Sequence, residues 1–378
     1  MIDRPEPLER LSEVFRVHPV AALLGPRQCG KTTLARVVAE HELSTFFDLE
    51  SPVDRRRLSA PMTALQGLTD LVVIDEIQRQ PELFELLRVL VDRPDNQARF
   101  LVLGSASPSL VKGVSESLAG RVGFVDLSGF SLPEVGDRLQ DLWNRGGFPR
   151  SYLAPDDAAS HAWRQSFIRT FLERDIPQLG ITVPAETLRR FWTMIAHFHG
   201  QVWNASQLGR SLGASENTAR RYLNILAGAF MVRILPPWFE NLKKRQVKAP
   251  KIYLRDSGLL HALLQLPAFA EVQGHPKLGA SWEGFAVEQI LTALATRDAY
   301  FWATHGGAEL DLFVLKGGKR LGFELKYSDA PTLTRSMHVA LEDLRLDRLW
   351  IVYPGEESYD LHEKVSVIPL AAVRGAAP

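Results

Sequence analysis

The stretch Gly25-Pro26-Arg27-Gln28-Cys29-Gly30-Lys31-Thr32 limits what this chain can fold into more than any other. It fits G-x-x-x-x-G-K-[ST] in full. Glycines let the backbone curl so that its N–H groups face phosphate oxygens. Lys31 supplies a point charge for β- and γ-phosphates, and the Thr32 hydroxyl is a ligand for Mg²⁺. An apolar stretch, Val20–Leu24, enters the motif and a helical one, Lys31–His41, leaves it. That setting aims a helix N-terminus at the same anion. The expected ligands are therefore ATP and Mg²⁺. Gly25, Pro26, Arg27, Gln28, Cys29, Gly30, Lys31, Thr32 and Thr33 are the expected nucleotide contacts, with Lys31 also catalytic.

A second half of such a site follows. Leu71-Val72-Val73-Ile74 reads as a buried strand ending at Asp75 and Glu76. Asp75 is the expected Mg²⁺ residue, and Glu76 the residue that polarises the attacking water. Phe100–Leu103 is a third apolar run, ending in Gly104-Ser105. If this strand lies beside the first, Ser105 comes near the γ-phosphate as a sensing residue. The alternative is a serine in an ordinary strand-ending turn.

The chain reads as three blocks. Residues 1–150 alternate strand-like runs (Val20–Leu24, Thr45–Asp48, Leu71–Asp75, Phe100–Leu103, Val122–Leu127) with helical ones. That alternation predicts an α/β unit, a parallel sheet with crossover helices around the phosphate loop. Residues 151–265 are mainly helical. Residues 270–372 mix a helix with short strands, after a Pro- and Gly-containing junction. Net charge is zero, so a nucleic-acid surface has to be a local patch. The single cysteine, Cys29, excludes a disulfide framework and a cysteine-based zinc site. No signal segment and no long apolar run is visible, so the expected setting is the cytoplasm, away from membranes.

With further motifs, the chain resembles AAA-superfamily ATPases of bacteria and archaea that carry a C-terminal domain of unknown function with a nuclease-like fold. The motifs are Ile74-Asp75-Glu76-Ile77-Gln78, Leu103-Gly104-Ser105-Ala106-Ser107, Leu118-Ala119-Gly120-Arg121-Val122, Gly146-Gly147-Phe148-Pro149 and Tyr253-Leu254-Arg255-Asp256-Ser257-Gly258-Leu259. The resemblance implies an ATPase core, a winged-helix segment and a C-terminal restriction-endonuclease-like domain. It also singles out Arg121 as a finger reaching a neighbouring subunit's γ-phosphate, which would require self-association. Arg93, Arg99 and Arg145 compete for that role, and a locally paired surface arginine is the alternative.

In the middle block, Gln201–Gly213 reads as helix then turn, and Ser215 caps a helix from Glu216 to Ala227. Ala219, Tyr222, Leu223 and Leu226 fall on its inner face. Arg220 and Arg221 fall on its outer face. Phe230–Leu235 and Trp238 suit a strand pair, the wing. Ala205–Arg255 holds ten Lys or Arg against two Glu. Arg220, Arg221, Lys243, Lys244 and Arg245 are the expected DNA contacts. A segment that packs on protein, with a solvated basic loop, is the alternative.

Three acidic features come last: Glu283 on a helix, Glu309 and Asp311 in Ala308–Val314, and Glu324 two residues before Lys326. Strand alternation puts Glu309 and Asp311 opposite Leu310, Leu312 and Val314. This is the layout of a restriction-endonuclease-like site. Glu283, Asp311 and Glu324 would hold Mg²⁺ or Mn²⁺, with Lys326 as catalytic lysine. A nuclease-like scaffold without cleavage is the alternative. Three functions follow: a DNA-associated, oligomeric ATPase that binds, remodels or translocates DNA; an ATP-gated metal-dependent nuclease; or a nucleotide switch acting on proteins.

Overall fold

The computed structural model describes residues 2–94, 96–107, 118–241 and 244–376. The first unit is a five-stranded sheet: β1 (Val20–Leu24), β2 (Ser44–Asp48), β3 (Leu71–Asp75), β4 (Arg99–Gly104) and β5 (Val122–Asp126). The order is β2-β3-β4-β1-β5 and every pairing is parallel. β4 thus lies between β1 and β3. Both faces of the sheet are covered, which is why β1 and β3 are continuous apolar runs rather than alternating ones. Val20, Ala22 and Leu24 pack with Leu83 and Leu87 of the helix Leu83–Val91. Ala21 and Leu23 pack with Leu34 and Ala35 of the helix Lys31–Glu40 and with Leu11.

A helical region follows. Its core is aromatic: Phe148, Phe167, Phe171, Phe191 and Trp192 are all buried. The helices Ala205–Leu212 and Glu216–Gly228 are capped by Asn204 and Ser215, whose side chains accept the N–H groups of Gln207 and Thr218. A small antiparallel sheet, order β6-β8-β7, closes the region: β6 (Gln201–Val202), β7 (Val232–Leu235) and β8 (Lys251–Leu254). The strand that pairs with β7 is thus β8, and the expected pairing through Trp238 is not formed. The intervening chain runs to the third unit instead. Trp238 N–H donates to the Phe301 carbonyl at 2.6 Å, and Val247 N–H to the Ala303 carbonyl at 2.9 Å. This covers an otherwise open sheet edge.

That third unit is a six-stranded mixed sheet: β9 (Ala299–Ala303), β10 (Glu309–Lys316), β11 (Lys319–Leu325), β12 (Arg348–Tyr353), β13 (Tyr359–His362) and β14 (Val365–Pro369), in the order β13-β14-β12-β11-β10-β9. The helix Leu278–Leu294 packs on one face and Arg335–Asp343 on the other. The register of β9 with β10 shifts between Leu310 and Phe313, a bulge. Simple alternation therefore fails. Leu310 packs with Met337 and Phe313, whereas Leu312 and Val314 pack in the cluster of Trp282 and Phe285. The expectation that Leu310, Leu312 and Val314 share a face is corrected by this bulge.

The units meet at two glycine-bearing motifs. Asp256 caps the helix Ser257–Leu263 and also accepts the Gly147 N–H at 2.8 Å. A side chain on Gly258 would put its Cβ 2.2 Å from the Arg145 carbonyl oxygen. Gly258→Ala should therefore prise the two segments apart. The expected outcome is a fall in thermal midpoint of several degrees, on the order of 2 kcal/mol, in a calorimetric or fluorescence melt.

Candidate nucleotide site and C-terminal carboxylates

The Gly25–Thr32 loop leaves the C-terminal end of β1 and is held from three sides. Gly25 N–H donates to the Gly104 carbonyl at 3.2 Å, and a Cβ on Gly25 would lie 2.0 Å from the Leu127 carbonyl oxygen. Gly30, at φ 100°, turns the chain into the helix Lys31–Glu40, a conformation that favours glycine. Arg4 donates to the Cys29 carbonyl at 3.0 Å, so the N-terminal segment buttresses the loop. Cys29 is buried and faces the Leu127 carbonyl, which makes it a packing residue. Gln28 and Thr33 are exposed at the rim.

The reactive groups converge. Lys31 is buried, and its ammonium donates to the Gly25 and Pro26 carbonyls at 2.9 and 2.8 Å. Thr32 Oγ1 donates to Asp75 Oδ2 at 2.6 Å. Burial raises the Asp75 pKa, and the Thr32 hydrogen bond opposes that shift. A hydroxyl and a carboxylate in contact at the head of a helix are a fitting pair of oxygen donors for Mg²⁺. Glu76 has φ 56°, an uncommon conformation for a non-glycine residue. Gln78 donates to its carboxylate, and Ser105 Oγ lies 3.4 Å from its Oε1. Because β4 is inserted beside β1, Ser105 sits at the same end of the sheet as the loop.

Sequence reasoning did not anticipate the surroundings of Arg27. Its guanidinium donates to Asp175 of the helical region and to Glu50, and lies 3.6 Å from Glu76. Burial works against this charge, but Glu76, Asp175 and Glu50 outweigh it and raise the pKa above its usual value. Nothing in the local sequence marks Asp175, which lies 148 residues away. Arg121 is placed elsewhere. It stands just before β5, at the opposite end of the strands from its own loop, paired to Asp92 at 2.6 Å.

The expected DNA residues are exposed but not all free. Arg220 is paired to Glu216, and Lys244 to Asp343. Arg221 and Arg245 are exposed. Lys243 lies outside the described residues. Lys244, Arg245, His305 and Arg335 line one groove of about 600 Å³.

The C-terminal carboxylates do gather, but around an unexpected cation. Lys251 of β8, only 5% exposed, places its ammonium 2.9 Å from Glu283 and 3.6 Å from Asp311, with Glu309 also in contact. Tyr253 OH donates to Glu283 at 2.5 Å. Asp311 Oδ2 accepts the Leu325 N–H at 2.9 Å, and Lys326 pairs with Glu324 at 2.7 Å. Among the described residues no three His, Cys, Asp or Glu side chains are placed to hold a metal ion. Glu283 and Asp311 of the expected metal set are already engaged by the Lys251 ammonium, so the set with Glu324 is not an open divalent site as it stands. By charge alone Lys251 reads as one of the ten basic residues of Ala205–Arg255. Its strand partners Val202 and Leu235, and its burial, are not legible from charge.

Three family models match this chain: an AAA domain over residues 17–136, a domain of unknown function (DUF8612) over 136–270, and a domain of unknown function (DUF4143) over 278–373. Uncharacterized protein Rv2008c of Mycobacterium tuberculosis and Uncharacterized protein Mb2031c of Mycobacterium bovis are each 52% identical over 370 residues, 98% of this chain and 84% of theirs. The chain belongs to the family of these mycobacterial proteins. Its first unit is an AAA-type P-loop ATPase domain. The Walker-type ATPase PABY2304 of Pyrococcus abyssi shares the fold, with a TM-score of 0.50 at 15% identity over 70% of this chain and 96% of that one. No helix among the described residues is long and apolar enough to cross a membrane.

Burial and the neighbouring Asp311 push the Glu324 carboxyl up to about 8. A raised acid pKa means that the folded state binds the proton more tightly. Stability is then fullest below the ordinary value of 4.5 and is lost as pH rises toward about 8. Thermal melts across this window should show a fall with rising pH. Glu324→Gln should flatten it, leaving the variant the more stable form above pH 8.

Proposed function

We propose that this chain hydrolyses ATP and uses the cycle to change how its helical and C-terminal units grip DNA. The reading is carried by one observation: Lys31, Thr32, Asp75 and Glu76 meet at the head of one helix, in hydrogen-bond contact where the pairing requires it. In the mechanism, loop N–H groups and Lys31 hold the phosphates. Thr32 and Asp75 would hold Mg²⁺, which would supply charge neutralisation at the phosphates. Glu76 accepts a hydrogen bond from the attacking water and orients it, while Gln78 and Ser105 hold that carboxylate in place.

Two features support the DNA part. The helical region runs helix, strand, helix, helix, strand, strand, from Ala185 to Leu254, which is the order of a winged helix. Its wing segment is anchored on β9, and this anchoring builds the basic groove of Lys244, Arg245, His305 and Arg335. Groups of this type bind phosphate backbones with strong salt dependence. The blocks 1–150, 151–265 and 270–372 would be the working units. Self-association is part of the proposal only through Arg121. Nuclease activity is disfavoured by Lys251, whose ammonium already engages Glu283 and Asp311, two of the carboxylates on which cleavage would depend.

Lys31→Ala should abolish ATP turnover. Glu76→Gln should retain nucleotide binding and lower turnover about 10²–10⁴-fold. A phosphate-release assay with parallel nucleotide titration separates the two. Wild-type turnover by a Glu76→Gln protein would remove Glu76 from the chemistry.

For DNA, the joint reversal Lys244→Glu and Arg245→Glu should weaken binding. It should also reduce the slope of log affinity against log salt by about two. Titrating single-stranded, duplex and forked DNA at several salt concentrations, with ATPase rate and mass read in parallel, tests this. Unchanged affinity and slope would exclude the basic groove as the DNA surface.

A further inference from the structure

The loop carries a second cation besides Lys31, and its position is unusual. Arg27 directly follows Gly25 and Pro26, whose carbonyls receive the Lys31 ammonium. Because that ammonium serves the β- and γ-phosphates in loops of this type, Arg27 departs from the γ-phosphate end. Its guanidinium then stands 3.6 Å from Glu76, the residue after the Mg²⁺ carboxylate. One side chain thus reaches the phosphate loop, the water-orienting carboxylate and the helical region.

The partner on the helical side is specially presented. The helix Asp157–Thr170 runs into a π-helical turn, Phe171–Asp175, before the short helix Ile176–Gln178. A π turn adds one residue and rotates everything beyond it, and such turns concentrate at functional positions. Here it turns Asp175 toward the loop. Asp175 is buried, and Gln178 of the next turn adds a 3.2 Å contact to the same guanidinium. Glu50 completes the ring and is shared with Arg79 at 2.8 Å and with Arg174 at 3.9 Å.

We propose that Arg27 discriminates ATP from ADP, and that Asp175 is the positioning residue against which it does so. This rests on the ATPase reading above. A triphosphate presents anionic γ-oxygens beside the loop; a diphosphate does not. The guanidinium cannot serve the γ-phosphate, Glu76 and Asp175 equally, since its five donors leave in one planar fork. With ATP it turns to the γ-phosphate. Glu76 is then free to orient water, and the buried Asp175 carboxylate loses its strongest partner. An unpaired buried carboxylate is unfavourable, so the Phe171–Gln178 segment loosens its hold on the ATPase unit. With ADP the clasp re-forms.

The test is equilibrium binding of a fluorescent non-hydrolysable ATP analogue and of fluorescent ADP, with hydrogen exchange of residues 171–178 as a second readout. Asp175→Asn, which is isosteric, releases Arg27. It should raise the ratio of ATP-analogue to ADP affinity about ten-fold. Arg27→Gln should lower that ratio about ten-fold, and Arg27→Lys, which keeps charge without the fork, should fall between. In the wild type the ATP analogue should speed exchange in 171–178 relative to ADP, and Arg27→Gln should abolish the difference. A merely structural clasp would shift both affinities together. An unchanged ratio in both Asp175→Asn and Arg27→Gln would overturn the proposal while leaving the ATPase reading intact. Equal ATP-analogue binding by wild type and Lys31→Ala would overturn the ATPase reading itself, and this proposal with it.

Discussion

Asp256 ties the end of the first block to the helical region. Its half-buried carboxylate accepts the N–H of Leu259, starting one helix, and the N–H of Gly147, ending the chain's passage out of the ATPase unit. Arg164, itself fully buried, ties the same two segments by donating to the Asn144 and Gly258 carbonyls. Glycine is required where they cross, because a Cβ at Gly146 would meet Asp256 at 2.2 Å. The consequence reaches the nucleotide loop. A small cavity of about 40 Å³ beside this crossing is lined by Pro26, Gly129, Phe148, Asp256 and Phe285. The phosphate loop, the helical region and the C-terminal helix therefore share one boundary, and a displacement of one is felt by the others.

Much of the ATPase unit was legible because its signals are local. Buried parallel strands must be apolar on both faces, and a phosphate loop must carry its glycines, lysine and hydroxyl at fixed spacing. Gly25, Lys31, Thr32, Asp75 and Glu76 follow from such rules. The Arg27 ring does not, because Glu50 and Asp175 reach it only through the tertiary fold. The bulge in β10 was hidden for another reason. An extra residue leaves hydrophobicity unchanged while switching which face each side chain takes, so Leu310 and Leu312 look equivalent in sequence and are not. The wing was misjudged because Trp238 has a better apolar partner on the neighbouring sheet, against Tyr300 and Phe313, than in its own hairpin.

The carboxylate cluster illustrates how charge patterning can mislead. Lys251 contributes to a basic run, and runs of that kind are usually solvated. Yet it lies in β8, between β6 and β7, where a side chain on the inner face has no water to reach. Its pKa is held well above the usual lysine value because Tyr253, Glu283, Asp311 and Glu309 outweigh the cost of burial. Glu283 shows the reciprocal strain, with burial and Asp311 raising its pKa despite the lysine. Breaking such a group by removing one charge is costly, whereas replacing the whole set by apolar residues need not be. The cluster therefore fixes how β8 seats on the C-terminal unit more than it adds net stability.

The position of Arg121 bears on whether one copy of the chain can be catalytically sufficient. All five strands of the first sheet run the same way, and the phosphate loop lies at their C-terminal ends. Arg121 stands at their N-terminal ends, separated from its own loop by the length of β5, roughly 16 Å. No arginine side chain spans that distance, so Arg121 does not serve the loop of its own chain. Its exposed pairing with Asp92 is no obstacle, since pairs of that kind are worth about 0–1 kcal/mol. Arg27 changes what such a neighbour must provide. A guanidinium supplied within the same chain does the work of a finger when it reaches the γ-phosphate. If Arg27 serves that phosphate, the transition-state charge is met from within the loop. A neighbouring Arg121 would then adjust the rate rather than switch hydrolysis on.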